Sequence, residues 1–241
     1  MTVGSVLGDA FDLYRLLFRR SVAAAAIVYA AVALFELAAE LPEDQAARIA
    51  LGLISFAVSF SGPVLVQGAL VRIVRNIHEG DRPEKIGELL RAARSRFWSL
   101  LLASIVYGLG VVGGLFLVIV PGLLAAARWC LMAPLIMLEG NSAGNARRRS
   151  SELVRGTTWT VLGAIVISFL VVSFIKAAYL SYWGLSERNL AVDVLFGFAW
   201  SSISAPFTAH VLTVIYYKLV DPDRPVVHEN VRNWTSVWSE G

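Results

Sequence analysis

The chain has 241 residues, 57% of them hydrophobic and only 16% charged, with a net charge of +3 and a mean hydropathy of +0.65. A soluble domain carries about 25% charged residues, so this composition excludes one that covers itself in water. A single cysteine, Cys130, excludes a disulfide framework and a thiolate metal cluster.

Residues 1–20 intersperse Asp9, Asp12, Arg15, Arg19 and Arg20 with apolar positions, unlike the compact apolar core of a cleavable signal peptide. Val3, Val6, Leu7, Ala10, Tyr14, Leu17 and Phe18 recur at three- and four-residue steps, which predicts an amphipathic helix. Membrane spans follow at about 21–40, 49–71, 97–120, 122–139, 158–180 and 192–217, each near the roughly 20 apolar residues needed to cross the hydrocarbon layer. Residues 97–127 form a charge-free run of 31, too long for one span, and Val120-Pro121-Gly122 marks a tight hairpin inside it. Basic amphipathic helices are also expected before the third span (Ile86, Leu89, Leu90, Ala93, Phe97) and before the fifth (Ala143, Ala146, Leu153, Val154). Such helices lie in the headgroup plane and favour anionic lipid. Arg19, Arg20, Arg94, Arg96, Arg147, Arg148 and Arg149 are the candidate headgroup contacts.

The fold class is thus all-α, a polytopic helical bundle of six spans. Of the 21 basic residues, 17 fall in the N-terminal segment, the second–third and fourth–fifth connectors and the tail; the opposite connectors hold Arg48 and Arg188. Excess Lys and Arg marks cytoplasmic loops, so a multi-pass protein of the inner (plasma) membrane with both termini cytoplasmic is expected. Each even span carries a small residue before a proline (Gly62-Pro63, Ala133-Pro134, Ala205-Pro206), the prolines lying 71 and 72 residues apart. Pro63, Pro134 and Pro206 read as helix kinks, and a threefold repeat over about 1–76, 77–140 and 141–220, followed by a tail at 221–241, is expected. Gly108, Gly110, Gly113 and Gly114 read as a close-packing helix face. Trp234 and Trp238 in the tail suit a membrane interface.

Polar residues inside the spans are the candidate site, because an ionisable group at mid-bilayer costs roughly 2.5–3.5 kcal/mol on insertion scales. Arg128, placed toward the outer side, is expected to pair with Glu36 or Asp193, with an anion or headgroup site as the alternative. Gln67 and His210 each follow their span's proline by four residues; helix–helix hydrogen bonding is their expected role, and both would face a central cavity if the even helices line one. No catalytic constellation is evident. His78-Glu79 and His228-Glu229 lack a second His at metal spacing and read as solvated loop pairs, and no phosphate loop occurs. No metal, cofactor or nucleic-acid partner is expected.

Residues 124–165 carry an Arg-aromatic pair (Arg128-Trp129), Pro134, an acid-Gly exit (Glu139-Gly140), a Ser-x-x-Leu-Val-x-Gly segment (Ser150 or Ser151 through Gly156) and Trp159. In these features the chain resembles the membrane domain of glycerophosphoryl diester phosphodiesterases and its stand-alone bacterial relatives. The opening 7–20 and the close Ala205-Pro206 to Tyr216-Tyr217 look similar too. The fused enzymes of that family add a soluble metal-binding barrel that does the cutting. The roughly twenty residues after the last span and three histidines here cannot supply one, so the resemblance does not carry the activity over. The leading expectation is a non-enzymatic scaffold, sensor or regulatory module gripping the cytoplasmic leaflet through anionic lipids, with a possible protein partner in the membrane. A transporter or binding protein for a lipid or small amphiphile, using a cavity between the proline-kinked even helices, is the alternative.

Overall fold

A computed structural model describes residues 1–81, 84–183 and 189–226. Arg82, Arg188, His228, Glu229, Trp234 and Trp238 lie outside the described residues. The first helix, α1 (Val3–Ala39), is capped by Thr2, whose side chain accepts the Ser5 N–H at 3.2 Å. A helix of 37 residues is about 55 Å long, well beyond the roughly 30 Å hydrocarbon layer. The amphipathic segment expected to lie flat before the first span is therefore continuous with it. Its buried stripe, Val6, Ala10, Leu13, Leu17, Ser21, Ala24, runs unbroken into the span, and it packs along the last of the described helices rather than standing apart.

α2 (Gln45–Glu79) starts at an Asp44 cap and ends at Gly80, whose φ of 76° is the left-handed conformation that glycine adopts without steric cost. α3 (Ile86–Ser95) then folds back along it. A Cβ added to Gly68 of α2 would lie 3.1 Å from the Ala93 Cβ and 2.9 Å from the Leu100 side chain, so glycine is what lets these helices touch. Arg72 clamps Glu84 with two hydrogen bonds of 2.7 Å, and Arg20 donates to the Glu84 carbonyl. The Arg72 bonds hold the Glu84 carboxyl below the usual carboxylate range.

α4 (Phe97–Leu117) and α5 (Ile119–Trp129) form the expected hairpin, but the chain turns at Val118, which is extended (φ −161°, ψ 143°). Pro121 and Gly122 instead lie in the first turn of α5, where a missing N–H costs nothing. α6 (Met132–Leu138) completes the crossing that α5 begins. α7 (Ala143–Leu153), α8 (Thr158–Trp183) and α9 (Leu190–Val220) follow. α2 and α9 continue through Pro63 and Pro206, whereas Pro134 follows a break between α5 and α6.

The described residues contain six helices or helix pairs long and apolar enough to cross a membrane, and they contain no strand. The chain is an all-α polytopic bundle. Its core sits at the basic end. Apart from Ser55, the buried residues of α2 run from Gly62 to His78, and apart from Val194 those of α9 run from Ser202 to Tyr217. At the other end Phe116, Leu117, Phe169 and Phe174 are exposed, as expected of surface facing lipid.

Half of the glycine face expected in α4 makes close contact. A Cβ on Gly114 would lie 2.7 Å from the Gly122 backbone, and Gly110 lies against the Trp129 ring. Gly108 and Gly113 meet nothing within 4 Å.

Candidate functional site

The site grows out of the break between α5 and α6. Proline lacks an N–H and its ring clashes with the carbonyl four residues back, here that of Cys130. α5 accordingly ends at Trp129, and Cys130 and Leu131 form a turn before α6. Ser150, fully buried in α7, bridges the turn. Its hydroxyl donates to the Arg128 carbonyl at 2.6 Å and accepts the Leu131 N–H at 3.2 Å. One side chain thus satisfies two backbone groups released by the break.

The turn places Trp129 and Cys130 on the wall of a chamber of about 340 Å³ between α2, α4, the α5–α6 crossing, α8 and α9. Leu100, Ala103, Met132, Ala133, Ile165 and Phe169 give much of it an apolar lining. The polar lining is uncharged: Gln67, Ser104, Tyr107, Ser168 and Thr208. Three of these hydroxyls spend their protons within their own helices, Ser104 on Leu100 (3.0 Å), Ser168 on Ala164 (2.7 Å) and Thr208 on Ser204 (3.4 Å). They face a ligand as acceptors. The Gln67 amide has no hydrogen bond to another described residue, so it offers both a donor and an acceptor. A chamber of this size and lining suits an apolar body with one or two hydrogen-bonding groups.

Arg147 of α7 lies over the Trp129 ring, its guanidinium carbon 5.3 Å from the ring centroid. Its neighbours have acidic partners: Arg148 pairs with Glu152 at 3.0 Å, and Arg149 lies 4.0 Å from Glu139. Glu139 also accepts from the Tyr216 hydroxyl (3.0 Å) and the Asn141 amide (2.9 Å), tying α6 to α9.

The five residues proposed from sequence are not brought together. Gln67 lines the chamber, but His210 does not. His210 is fully buried and turned to α1, with its Nε2 3.1 Å from the Ser21 hydroxyl. Arg128 makes no ion pair among the described residues. Glu36 accepts from Ser59 (3.0 Å) near the end of α1, and Asp193 accepts from Tyr179 (3.2 Å) at the start of α9. The Arg128 backbone is held by α7, on the basic connector, so the expected pairing with either carboxylate fails. Of the candidate headgroup arginines, Arg19 and Arg94 are exposed, while Arg96 donates to the Gly140 carbonyl at 3.3 Å. Arg20 is turned to Glu84.

His78, read as a solvated loop residue, is buried in the last turn of α2 with its ring 3.9 Å from that of Tyr217. No group of three His, Cys, Asp or Glu side chains placed to hold a metal occurs among the described residues. Tyr107, Trp129 and Ser150 were not proposed as site residues. Trp129 and Ser150 fall within the motif of the fourth span and its connector, which was the available signal.

Fold and site together define a polytopic all-α membrane protein with an uncharged, largely apolar chamber bordered by an arginine-bearing connector helix. No family model, curated protein or solved structure matches the chain.

Proposed function

We propose that this protein is a non-enzymatic binding or transport protein for a lipid or small amphiphile, and that the ligand's apolar body occupies the chamber beside Trp129. The observation that carries this reading is a ligand-sized cavity lined by apolar and uncharged polar side chains from five spans. The proposed setting is the plasma membrane with both termini cytoplasmic, supported by the 17 basic residues gathered on one side. Membership of the glycerophosphoryl diester phosphodiesterase membrane-domain family is proposed on the motif of residues 124–165 alone. The scaffold reading rests on the exposed Arg19, Arg94 and Arg148 of the basic end, which suit an anionic leaflet.

Photo-crosslinking separates the two readings. With a diazirine-bearing single-chain lipid in native membranes, adducts are expected on Leu100, Tyr107 and Met132. Excess unlabelled lipid should remove these while leaving label on the exposed Phe116 and Phe174. Labelling confined to the exposed positions, with no saturable component, would defeat the binding reading and leave the scaffold.

A further inference from the structure

Resting on the binding reading above, we propose that the chamber's ligand is an anionic single-chain amphiphile, with its phosphate or carboxylate held by Arg147 and Arg128 and its chain in the chamber. Three observations converge on this assignment.

First, the chamber wall and the Arg147 guanidinium meet at Trp129, the residue that follows Arg128. Trp129 lines the chamber, Arg128 precedes it in the chain, and Arg147 lies on its ring. Ser150 lies one turn beyond Arg147 on α7 and bonds the Arg128 carbonyl, so both arginines are anchored at the same break.

Second, these two arginines lack carboxylate partners among the described residues, although Arg148 and Arg149 next to them have theirs. Both are exposed. A guanidinium over an aromatic face is attracted by the ring, and its planar fork matches a phosphate or carboxylate. The Trp129 ring thus places Arg147 beside the chamber wall.

Third, the lining carries no charge, so the ligand's charge must sit outside the chamber and its apolar part within. At about 340 Å³ the chamber lies near the lower limit of ligand sites, which favours one chain over the two of a diacyl lipid.

The test is competition by native mass spectrometry in a neutral detergent, using an equimolar mixture of oleoyl lysophosphatidic acid and oleoyl lysophosphatidylcholine. The chain is the same in both; the headgroup of one is an anionic phosphate monoester, and that of the other is a phosphodiester neutralised by choline. Wild-type protein should retain the anionic lipid at least about tenfold over the zwitterionic one, the scale of a charge-assisted hydrogen bond. Arg128→Gln combined with Arg147→Gln should bring the ratio close to one while the protein stays folded, its thermal midpoint lower by at most about 4 °C from loss of the Trp129 contact. Arg148→Gln, which changes net charge but not these two groups, should keep the preference.

Equal retention of both lipids by wild type would overturn the anion assignment and leave the chamber reading standing. So would an equal loss in Arg148→Gln, which would mean only a diffuse positive field. Displacement by excess inorganic phosphate would assign the arginines to a free anion rather than to an amphiphile. Retention of neither lipid would defeat both this inference and the binding reading.

Discussion

Gly114→Val should markedly lower the unfolding midpoint of the detergent-solubilised protein. The α4–α5 hairpin is closed by backbone meeting backbone. A Cβ at position 114 would lie 2.7 Å from both the N and the Cα of Gly122, and the carbonyl carbon of Pro121 is 3.0 Å away. Backbone cannot rotate aside as a flexible side chain does, so the helices must separate. Overpacking of this kind costs about 3 kcal/mol, which for a chain of this size is roughly 6–12 °C in midpoint. Gly113→Ala is the matched control. A Cβ there meets nothing within 4 Å, and alanine is the better helix former, so no loss is expected. A thermal scan in which Gly114→Val melts with wild type would show that the hairpin does not pack as described.

Ser150→Ala should be the second large loss, about 2–4 kcal/mol, because it strands a buried N–H and a part-buried carbonyl at once. The Arg128 carbonyl and the Leu131 N–H both lose their partner, and Ser150 has no solvent exposure through which water could replace the hydroxyl. Ser151→Ala removes only a bond of 3.0 Å to the Arg147 carbonyl within the same helix and should cost a few tenths of a kcal/mol. The two serines are adjacent in sequence and chemically identical, so the contrast isolates the helix break. The readout is again the thermal midpoint, together with proteolysis between residues 129 and 132. Equal behaviour of the two variants would mean that the break is supported by something other than Ser150.

The six crossings were legible because hydrophobic length is a strong signal, and each expected span overlaps a helix able to cross a membrane. What the sequence hid was how the segments at the basic end join and pack. The amphipathic stretch before the first span has the same apolar periodicity whether it lies flat or continues the helix. Only its stripe's continuity through Ser21 and Ala24, against α9, decides the matter. The turn between α4 and α5 was displaced for a similar reason. Pro-Gly marks a turn, but proline is equally at home in the first turn of a helix, and the bend falls at Val118.

At the site, Gln67 was legible as a polar residue one turn past a proline. His210 has the same offset from its own proline, yet α9 presents it to Ser21 of α1. Equal spacing on two helices does not fix equal neighbours, because those depend on how each helix is rotated in the bundle. The Arg128 expectation assumes a kinked but continuous fourth span and α7 flat in the headgroup plane, whereas the helix breaks before Pro134 and α7 packs on that break and holds the Arg128 backbone. Trp129 stood in plain view beside Arg128, but its contact with Arg147 spans a connector whose fold-back no periodicity reveals.

An amphiphile in the chamber should be displaced when its space is filled. Ala133 lines the chamber and is nearly buried, so Ala133→Phe puts an aromatic ring into the space a ligand would take. Wild type and the variant would be extracted gently from the same membranes, and their bound small molecules counted by native mass spectrometry. Wild type should carry a discrete co-purifying amphiphile near one per chain, and an Ala133→Phe protein that remains folded should lose it. The same amphiphile retained at full occupancy in folded Ala133→Phe, or a wild-type protein carrying only exchangeable bulk lipid, would contradict the binding reading.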